Sequence, residues 1–312
     1  MSKISVCMPC LNTAPYLKAR LDSLFAQTYD DYELVILDSE SSDGSWEIIQ
    51  SYAKRDPRIR AYQQPRRGIW KDWNACLKMA QCEWIYIATS DDTMKPDALE
   101  KFVTATRQNP EATVIGSRRW MIDEQGNKIV DMESWDRAWS GARYWTAGWC
   151  DRGRELIHCL LVGTPFCSMT QLFIHRGVFD RVGYFTSDFY SSGDMIWQSR
   201  MIMSEKVYFV AAQLGSWRCH QAQYSMVHKP QRLEVVRHII EITKPLHYGY
   251  KIQIAIGVAV GIDLPDKVAG LSVLSAFSAW LFGGRKFWFR PRWRLLLATG
   301  LRLLPGGRKI SE

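Results

Sequence analysis

Several signatures of large function classes are missing from this chain. No Gly-x-Gly-x-x-Gly follows its first apolar strand and no phosphate-binding P-loop occurs, which argues against a dehydrogenase of the dinucleotide type and a P-loop NTPase. Cys7 and Cys10 have CxxC spacing, but no second CxxC completes a zinc site. The 8 cysteines therefore read as scattered, reduced packing residues. No charged segment followed by a long apolar one opens the chain, so no secretory signal is expected and the cytoplasm is the expected compartment. The two apolar runs at 252–264 and 268–282 fall short of the roughly 20 residues that cross a bilayer. Internal repeats, low-complexity tracts and nucleic-acid-binding motifs are also absent.

What is present fits a globular protein. The 312 residues are 47% hydrophobic and 23% charged, enough for one large α/β unit with an appendage. Charge is uneven. Arg285, Lys286, Arg290, Arg292, Arg294, Arg302, Arg308 and Lys309 face only Glu312, so nearly all of the net charge of +8 belongs to the tail and the body is close to neutral.

Strand-like and helix-like segments alternate through the first hundred residues. Strands are predicted over 4–8, 33–37, 59–62, 84–88 and 113–116, with helices over 16–27, 45–54, 72–80 and 96–108. Leu17, Leu21, Leu24 and Phe25 recur at helical spacing and supply one buried face. That order predicts a parallel sheet with right-handed crossovers. The period weakens between 120 and 165, where Trp120, Trp135, Trp139, Trp145 and Trp149 gather as core, dimer-packing or sugar-stacking candidates. A strand over 170–175, a helix over 194–204 and a closing strand over 207–211 follow.

Two of the strands end in acid. Val35-Ile36-Leu37-Asp38 breaks into Ser39-Glu40-Ser41-Ser42-Asp43-Gly44-Ser45, and Trp84-Ile85-Tyr86-Ile87-Ala88 leads into Thr89-Ser90-Asp91-Asp92. A buried parallel strand delivers such a carboxylate to the sheet edge where ligands bind, so a nucleotide and a metal ion are the expected occupants. Asp43, with Gly44 and Ser45, reads as a turn that caps the next helix.

These stretches, with Val6-Cys7-Met8-Pro9-Cys10-Leu11-Asn12, Ser23 through Tyr29 and Gly68-Ile69-Trp70-Lys71-Asp72-Trp73-Asn74, resemble the opening of the family 2 glycosyltransferases. The resemblance covers roughly residues 3–225 and implies the GT-A fold, a Rossmann-like α/β sheet that binds a nucleotide sugar, over 1–228. It divides that region into a nucleotide-binding half, 1–118, and an acceptor half, 119–228. It implies that Asp38 accepts from the nucleobase, and that Pro9, Asn12, Arg67, Asp72 and Ser90 line the donor site, with Arg66 an equal choice for phosphate. The acidic tip is similar to the family's DxD motif with Thr89 in place of the first Asp. Asp91 then matches the ligand of Mn²⁺ or Mg²⁺, and Asp92 is either part of the tip or a cap before Pro96. Trp217-Arg218-Cys219-His220, followed by Ser225, resembles a later Arg-x-His segment, which makes His220 a metal contact, a phosphate contact or a structural residue. An inverting transferase needs one carboxylate to take the acceptor proton. Asp194 in Ser192-Gly193-Asp194-Met195-Ile196-Trp197 is the choice, Asp188 the fallback, and N-capping the structural alternative.

The resemblance thus implies transfer of a sugar, with a UDP-sugar favoured, to a glycan acceptor carried on a lipid, in cell-surface polysaccharide assembly. Residues 229–312 are expected to be helical. Their cations and aromatics, as in Phe287-Trp288-Phe289-Arg290, suit an anionic headgroup surface, so the tail is read as a peripheral anchor on the inner face of the cell membrane. The alternatives are a tail packed on the core or forming a homo-oligomer; single-stranded nucleic acid ranks last, because no recognised motif accompanies the charge. Thr89 keeps open a degenerate relative that only binds. A sugar nucleotidyltransferase is disfavoured because Pro9-Cys10-Leu11-Asn12 offers no Gly-rich basic loop for a triphosphate.

Overall fold

The computed structural model describes residues 4–129, 146–152, 155, 166, 168–188, 192–221 and 223. The tail and its two apolar runs, Trp135, Trp139, Trp145 and Ser225 lie outside the described residues. Among the described residues, no helix is long and apolar enough to cross a membrane.

The strands are β1 (Ile4–Cys10), β2 (Tyr32–Asp38), β3 (Ile59–Gln63), β4 (Trp84–Ile87), β5 (Val114–Ile122), β6 (Gly148–Trp149), β7 (Leu172–His175) and β8 (Val207–Arg218). They form one sheet in the order β3-β2-β1-β4-β7-β5-β8-β6. Strands β3, β2, β1 and β4 pair in parallel, as does β5 with β8. The sheet is not wholly parallel, because β7 runs antiparallel to both β4 and β5, and β6 antiparallel to β8. Strand β8 therefore does not close the sheet; the two-residue β6, from the tryptophan-rich stretch, lies outside it.

Both faces of the central strands are apolar, and their alternation sorts the helices. Val6, Met8, Leu34, Ile36 and Tyr86 face a cluster with Leu17, Leu21, Ile49 and Phe102, contributed by α1 (Ala14–Phe25), α2 (Ser45–Ala53) and α4 (Ala98–Gln108). Cys7, Val35, Leu37, Ile85 and Ile87 face the other cluster with Trp70, Phe179 and Trp197, from α3 (Ile69–Lys78), α5 (Gly177–Val182) and α6 (Gly193–Ser204). The predicted helical face of α1 is the buried one, although the helix starts earlier than expected because Pro15 suits its first turn.

The largest departure from the predicted elements is the length of β5 and β8. Polar residues (Ser117, Arg118, Arg119, Gln213, Ser216) break the apolar pattern, yet the strands continue because those groups find partners in the sheet. Gln171 donates to the Ser117 carbonyl, Gln213 to the Arg119 carbonyl, and Ser216 Oγ accepts from the Thr93 amide at 2.7 Å. The register shifts around Arg118, then runs on to the pair Ile122–Arg218. This extension carries Arg218 and His220 to the edge where β4 ends.

Candidate active site

The loops after β1 and β2 are laced by side chains. The Asn12 amide donates to Ser41 Oγ at 2.9 Å, and the Ser42 amide to Asn12 Oδ1 at 2.9 Å. Asn12 holds a left-handed backbone, φ 50°, that asparagine tolerates better than most residues. Asp43 accepts from the Ser45 amide at 3.0 Å and from the Ala14 amide, the first of α1, at 2.9 Å. It therefore makes the expected turn, but it serves α1 as well; the N-cap of α2 is Gly44.

Asp38, at the end of β2, is fully buried. Its carboxylate accepts from the Ser41 hydroxyl, from the Ser41 amide at 3.0 Å and from Gln63 Nε2 at 3.0 Å. A carboxylate offers about four acceptor positions, and these three bonds fill most of them. Pro9 is buried in β1 opposite Leu37. Asp72 lies beneath the neighbouring loop, accepting from Ser39 Oγ at 2.9 Å, Gln64 Nε2 at 3.3 Å and the Arg67 amide at 3.3 Å. With 4% exposure it braces that loop. The Arg67 side chain is half open to solvent, held by Gln64 Oε1 at 2.6 Å.

The second acidic strand end is no solvated loop. Ser90 and Asp92 are buried, and Asp92 accepts from the Arg218 amide at 2.7 Å and from the Thr89 hydroxyl. Asp92 does not cap a turn before Pro96, because its carboxylate is committed to β8. Thr89, standing where an acid was expected, supplies a hydroxyl to it instead. Burial and then the neighbouring Asp91 push the Asp92 carboxyl up to about 7, against the pull of Thr89, the Arg218 amide and Arg20.

Asp91 and His220 meet at this tip, Oδ2 to Nε2 at 3.0 Å. The His220 ring lies 4.8 Å from that of Tyr16, and the Arg218 guanidinium 4.8 Å above Tyr16. Arg218 Nε donates to the Asp91 carbonyl at 2.6 Å, and Nη1 to the carbonyls of Asp123 and Glu124, each at 2.9 Å. Nδ1 of His220 is buried without a partner among the described residues, so Nε2, which faces Asp91, is the nitrogen available to a ligand. Among the described residues, no three His, Cys, Asp or Glu gather to hold a metal by themselves. Asp91 and His220 nevertheless form a two-donor O,N set, and that fits Mn²⁺ or Mg²⁺ if phosphate oxygens and water complete the shell.

Asp194 is not the helix cap. Ser192 occupies that position of α6, and Asp194 is the second residue of the helix, accepting from the Met195 amide at 2.7 Å. Burial pushes its carboxyl up to about 6, partly offset by the Met195 amide. The first turn of α6 rests on α3: a Cβ on Gly193 would lie 2.5 Å from the Trp70 ring and 2.8 Å from the Thr186 carbonyl. The last turn of α6 lies beside the start of β5, where the Lys206 amide meets Thr113 Oγ1 at 3.2 Å, so the N-terminal end points to the same edge as Asp38 and Asp91. Asp188, by contrast, is exposed and tied to Thr186 Oγ1 at 2.6 Å.

Residues 5–183 match the family described as Glycosyl transferase family 2. The chain belongs to that family. It is 28% identical to the chondroitin synthase of Escherichia coli over 132 residues (42% of this chain, 19% of the relative), and 30% identical to glycosyltransferase GlyG of Streptococcus pneumoniae over 125 residues (40% and 42%). The match therefore spans less than half of either relative's length. Among solved structures, S. aureus TarS 1-349 in complex with UDP-GlcNAc aligns with a TM-score of 0.68 at 16% identity, covering 89% of this chain and 81% of that one. The mannosyltransferase PcManGT from Pyrobaculum calidifontis, solved with GDP-Man and Mn²⁺, aligns with a TM-score of 0.57 at 18% identity, covering 96% and 80%. This family member thus has the GT-A α/β fold expected from its motifs. Ser41, Gln63 and Tyr16 join the candidate site although the sequence did not single them out, and Arg218 joins it from the segment that carries His220. Gln63 lies one residue past the predicted strand 59–62; the strand extends to include it and pairs it with Asp38 in the sheet.

Proposed function

We propose that this protein is an inverting glycosyltransferase that moves a sugar from a nucleotide donor to a hydroxyl of a glycan. The convergence of Asp38, the Asp91–His220 pair and the start of α6 on one sheet edge carries this reading. Asp38, with Ser41, Gln63, Asn12 and Pro9, receives the nucleobase, and Arg67 on its Asp72-braced loop meets the diphosphate. Asp91 and His220 would hold a divalent cation, which would neutralise negative charge on a nucleoside diphosphate. Asp194 takes the proton as the acceptor oxygen bonds to the anomeric carbon. The bond from that carbon to the diphosphate oxygen breaks on the opposite face, and the nucleotide leaves with its electron pair. A carboxyl near pKa 6 is ionised at neutral pH yet basic enough to help.

A UDP-sugar is the favoured donor, in line with the UDP-GlcNAc bound by TarS. The acceptor is a lipid-linked glycan in cell-surface polysaccharide assembly, and the basic tail keeps the enzyme on the inner membrane face. A second reading, a relative that binds without turnover, draws on Thr89 in place of the expected acid. Slow hydrolysis of a panel of nucleotide sugars, with and without Mn²⁺, separates the two. One donor is expected to turn over in a metal-dependent way, with loss of at least tenfold in Asp91→Asn and in His220→Gln. Calorimetric binding of a donor without any turnover, even with glycan acceptors added, refutes the enzymatic reading.

A further inference from the structure

Asn74, on α3, is a polar residue that the proposed chemistry leaves unused. Its side-chain amide exchanges two bonds with one backbone residue: Nδ2 donates to the Phe185 carbonyl at 2.8 Å, and Oδ1 accepts from the Phe185 amide at 3.0 Å. A single amide that both donates to and accepts from one residue fixes its orientation as well as its distance. Phe185 lies 111 residues further along the chain, in the strap 183–186 that leads from α5 towards α6.

The same face of α3 meets the rest of that strap. Trp70, Trp73 and Asn74 recur at i, i+3 and i+4, so they share one side of the helix. The Phe185 ring lies 5.4 Å from that of Trp70 and 5.6 Å from that of Trp73, and Lys78 Nζ lies 5.1 Å from the centroid of the Tyr184 ring. From α6, Trp197 Nε1 donates to the Gly183 carbonyl at 2.8 Å. The Thr186 carbonyl and the Trp70 ring are the two surfaces that close on Gly193, the residue before Asp194. Asp72 leaves α3 on the opposite side, where it accepts from Ser39, Gln64 and the Arg67 amide. One helix is therefore tied to the Arg67 loop on one face and, through the strap, to the start of α6 on the other.

We propose that Asn74 is a positioning residue: by clamping the strap 183–186 to α3, it sets where Asp194 stands relative to the Arg67 loop. The inference rests on the proposed function in giving Asp194 the part of base. Its first readout needs no turnover, so the two ideas fail separately.

That readout is the stability gained when Asp194 becomes Asn. Burial raises the Asp194 carboxyl and only backbone bonds oppose it, with no charged side chain contributing. The charges on the packed elements are engaged elsewhere or exposed: Asp72 is held by Ser39 and Gln64, Lys78 lies over Tyr184, Asp188 is bonded to Thr186 and Arg181 to Glu205, while Lys71 and Asp180 face solvent. The gain at pH 7.5 thus measures how dry the strap and Trp70 keep that carboxyl.

Thermal melts at pH 4 and pH 7.5 are recorded on the full chain for wild type, D194N, N74A and N74A/D194N. S5A and S5A/D194N control for plain destabilisation, because Ser5 is buried at the other end of β1, where its hydroxyl accepts from the Cys82 amide at 2.9 Å. The gain from D194N at pH 7.5 is expected to fall below half its wild-type size in the N74A background and to keep that size in the S5A background. Donor turnover is the second readout. In N74A, kcat is expected to fall at least tenfold while Kd for UDP stays within threefold, and S5A is expected to stay within threefold in both. A full D194N gain in N74A overturns the proposal, as do absence of any gain in wild type, wild-type turnover in N74A and an equal loss of turnover in S5A. If no variant turns over any donor, the proposed function fails and the melts alone decide. N74S takes the place of N74A if that variant gives no folded protein. Failure of both to fold overturns the positioning role, since Asn74 would then serve the fold as a whole.

Discussion

Replacing Asp194 by Asn separates catalysis from stability in a direction the structure dictates. The side chain is half-buried, and its carboxyl is raised from 3.8 to about 6 with burial as the leading cause. Raising an acid this way penalises the ionised form in the folded state only. Below pH 3.8 the group is neutral in both states and the penalty vanishes. It grows as pH rises through 6 and is complete above about pH 7, where it amounts to about 3 kcal/mol, or about 1–3 kcal/mol once partial solvent screening is allowed for. Asparagine has nearly the same shape, keeps an acceptor for the Met195 amide and cannot ionise. Asp194→Asn is therefore expected to raise the melting temperature by several degrees at pH 7.5 and to leave it unchanged near pH 4. Catalysis moves the other way. In wild type, kcat/KM for donor turnover should fall about tenfold per pH unit below 6 and level off above 7, and the variant should lose about 10²–10⁴ in rate. Thermal melts across pH 4–8 beside initial rates make the measurement. A stability gain independent of pH, or a variant with wild-type turnover, refutes the reasoning.

Gly193→Ala places a methyl group 2.5 Å from the Trp70 ring, so overpacking should cost about 1–3 kcal/mol in a denaturant titration and displace Asp194. The Gly193→Ala, Trp70→Leu double variant should recover part of that stability. Asp38→Ala leaves the Ser41 amide and Gln63 Nε2 without their shared acceptor, at about 1–3 kcal/mol, and should weaken UDP binding in calorimetry more than it weakens phosphate binding. Equal weakening of both would detach Asp38 from the nucleobase.

Much of the Asp38 side of the candidate site was legible because it obeys local rules. An apolar strand that ends in Asp38 and breaks into small polar residues announces its edge, and periodic leucines announce α1. The tip was half legible. Asp91 stood out as an acid after a strand, but the roles of Thr89 and Asp92 depend on Arg218, 126 residues further along Asp92's chain. Polar residues in β5 and β8 hid the length of both strands, since side-chain partners in the sheet compensate for a pattern that reads as loop. Arg20 was illegible for a related reason. On a helix, one cation beside Leu17 and Leu21 reads as solvent-facing, and only the fold turns it inward.

The two halves of this site differ in how far apart their parts lie along the chain. The lacing of Asn12 to Ser41 and Ser42, and of Gln63 to Asp38, spans 25 to 30 residues. The bonds from Arg218 to Asp92 and from His220 to Asp91 span 126 and 129. Closing the longer loops costs more chain entropy, and on a ribosome their second partners emerge much later. The partners that lace Asp38 and Asn12 all lie within the first third of the chain. The tip cannot assemble until β8 is in place, so a nascent or truncated chain can hold the Asp38 loops without the Asp91–His220 pair.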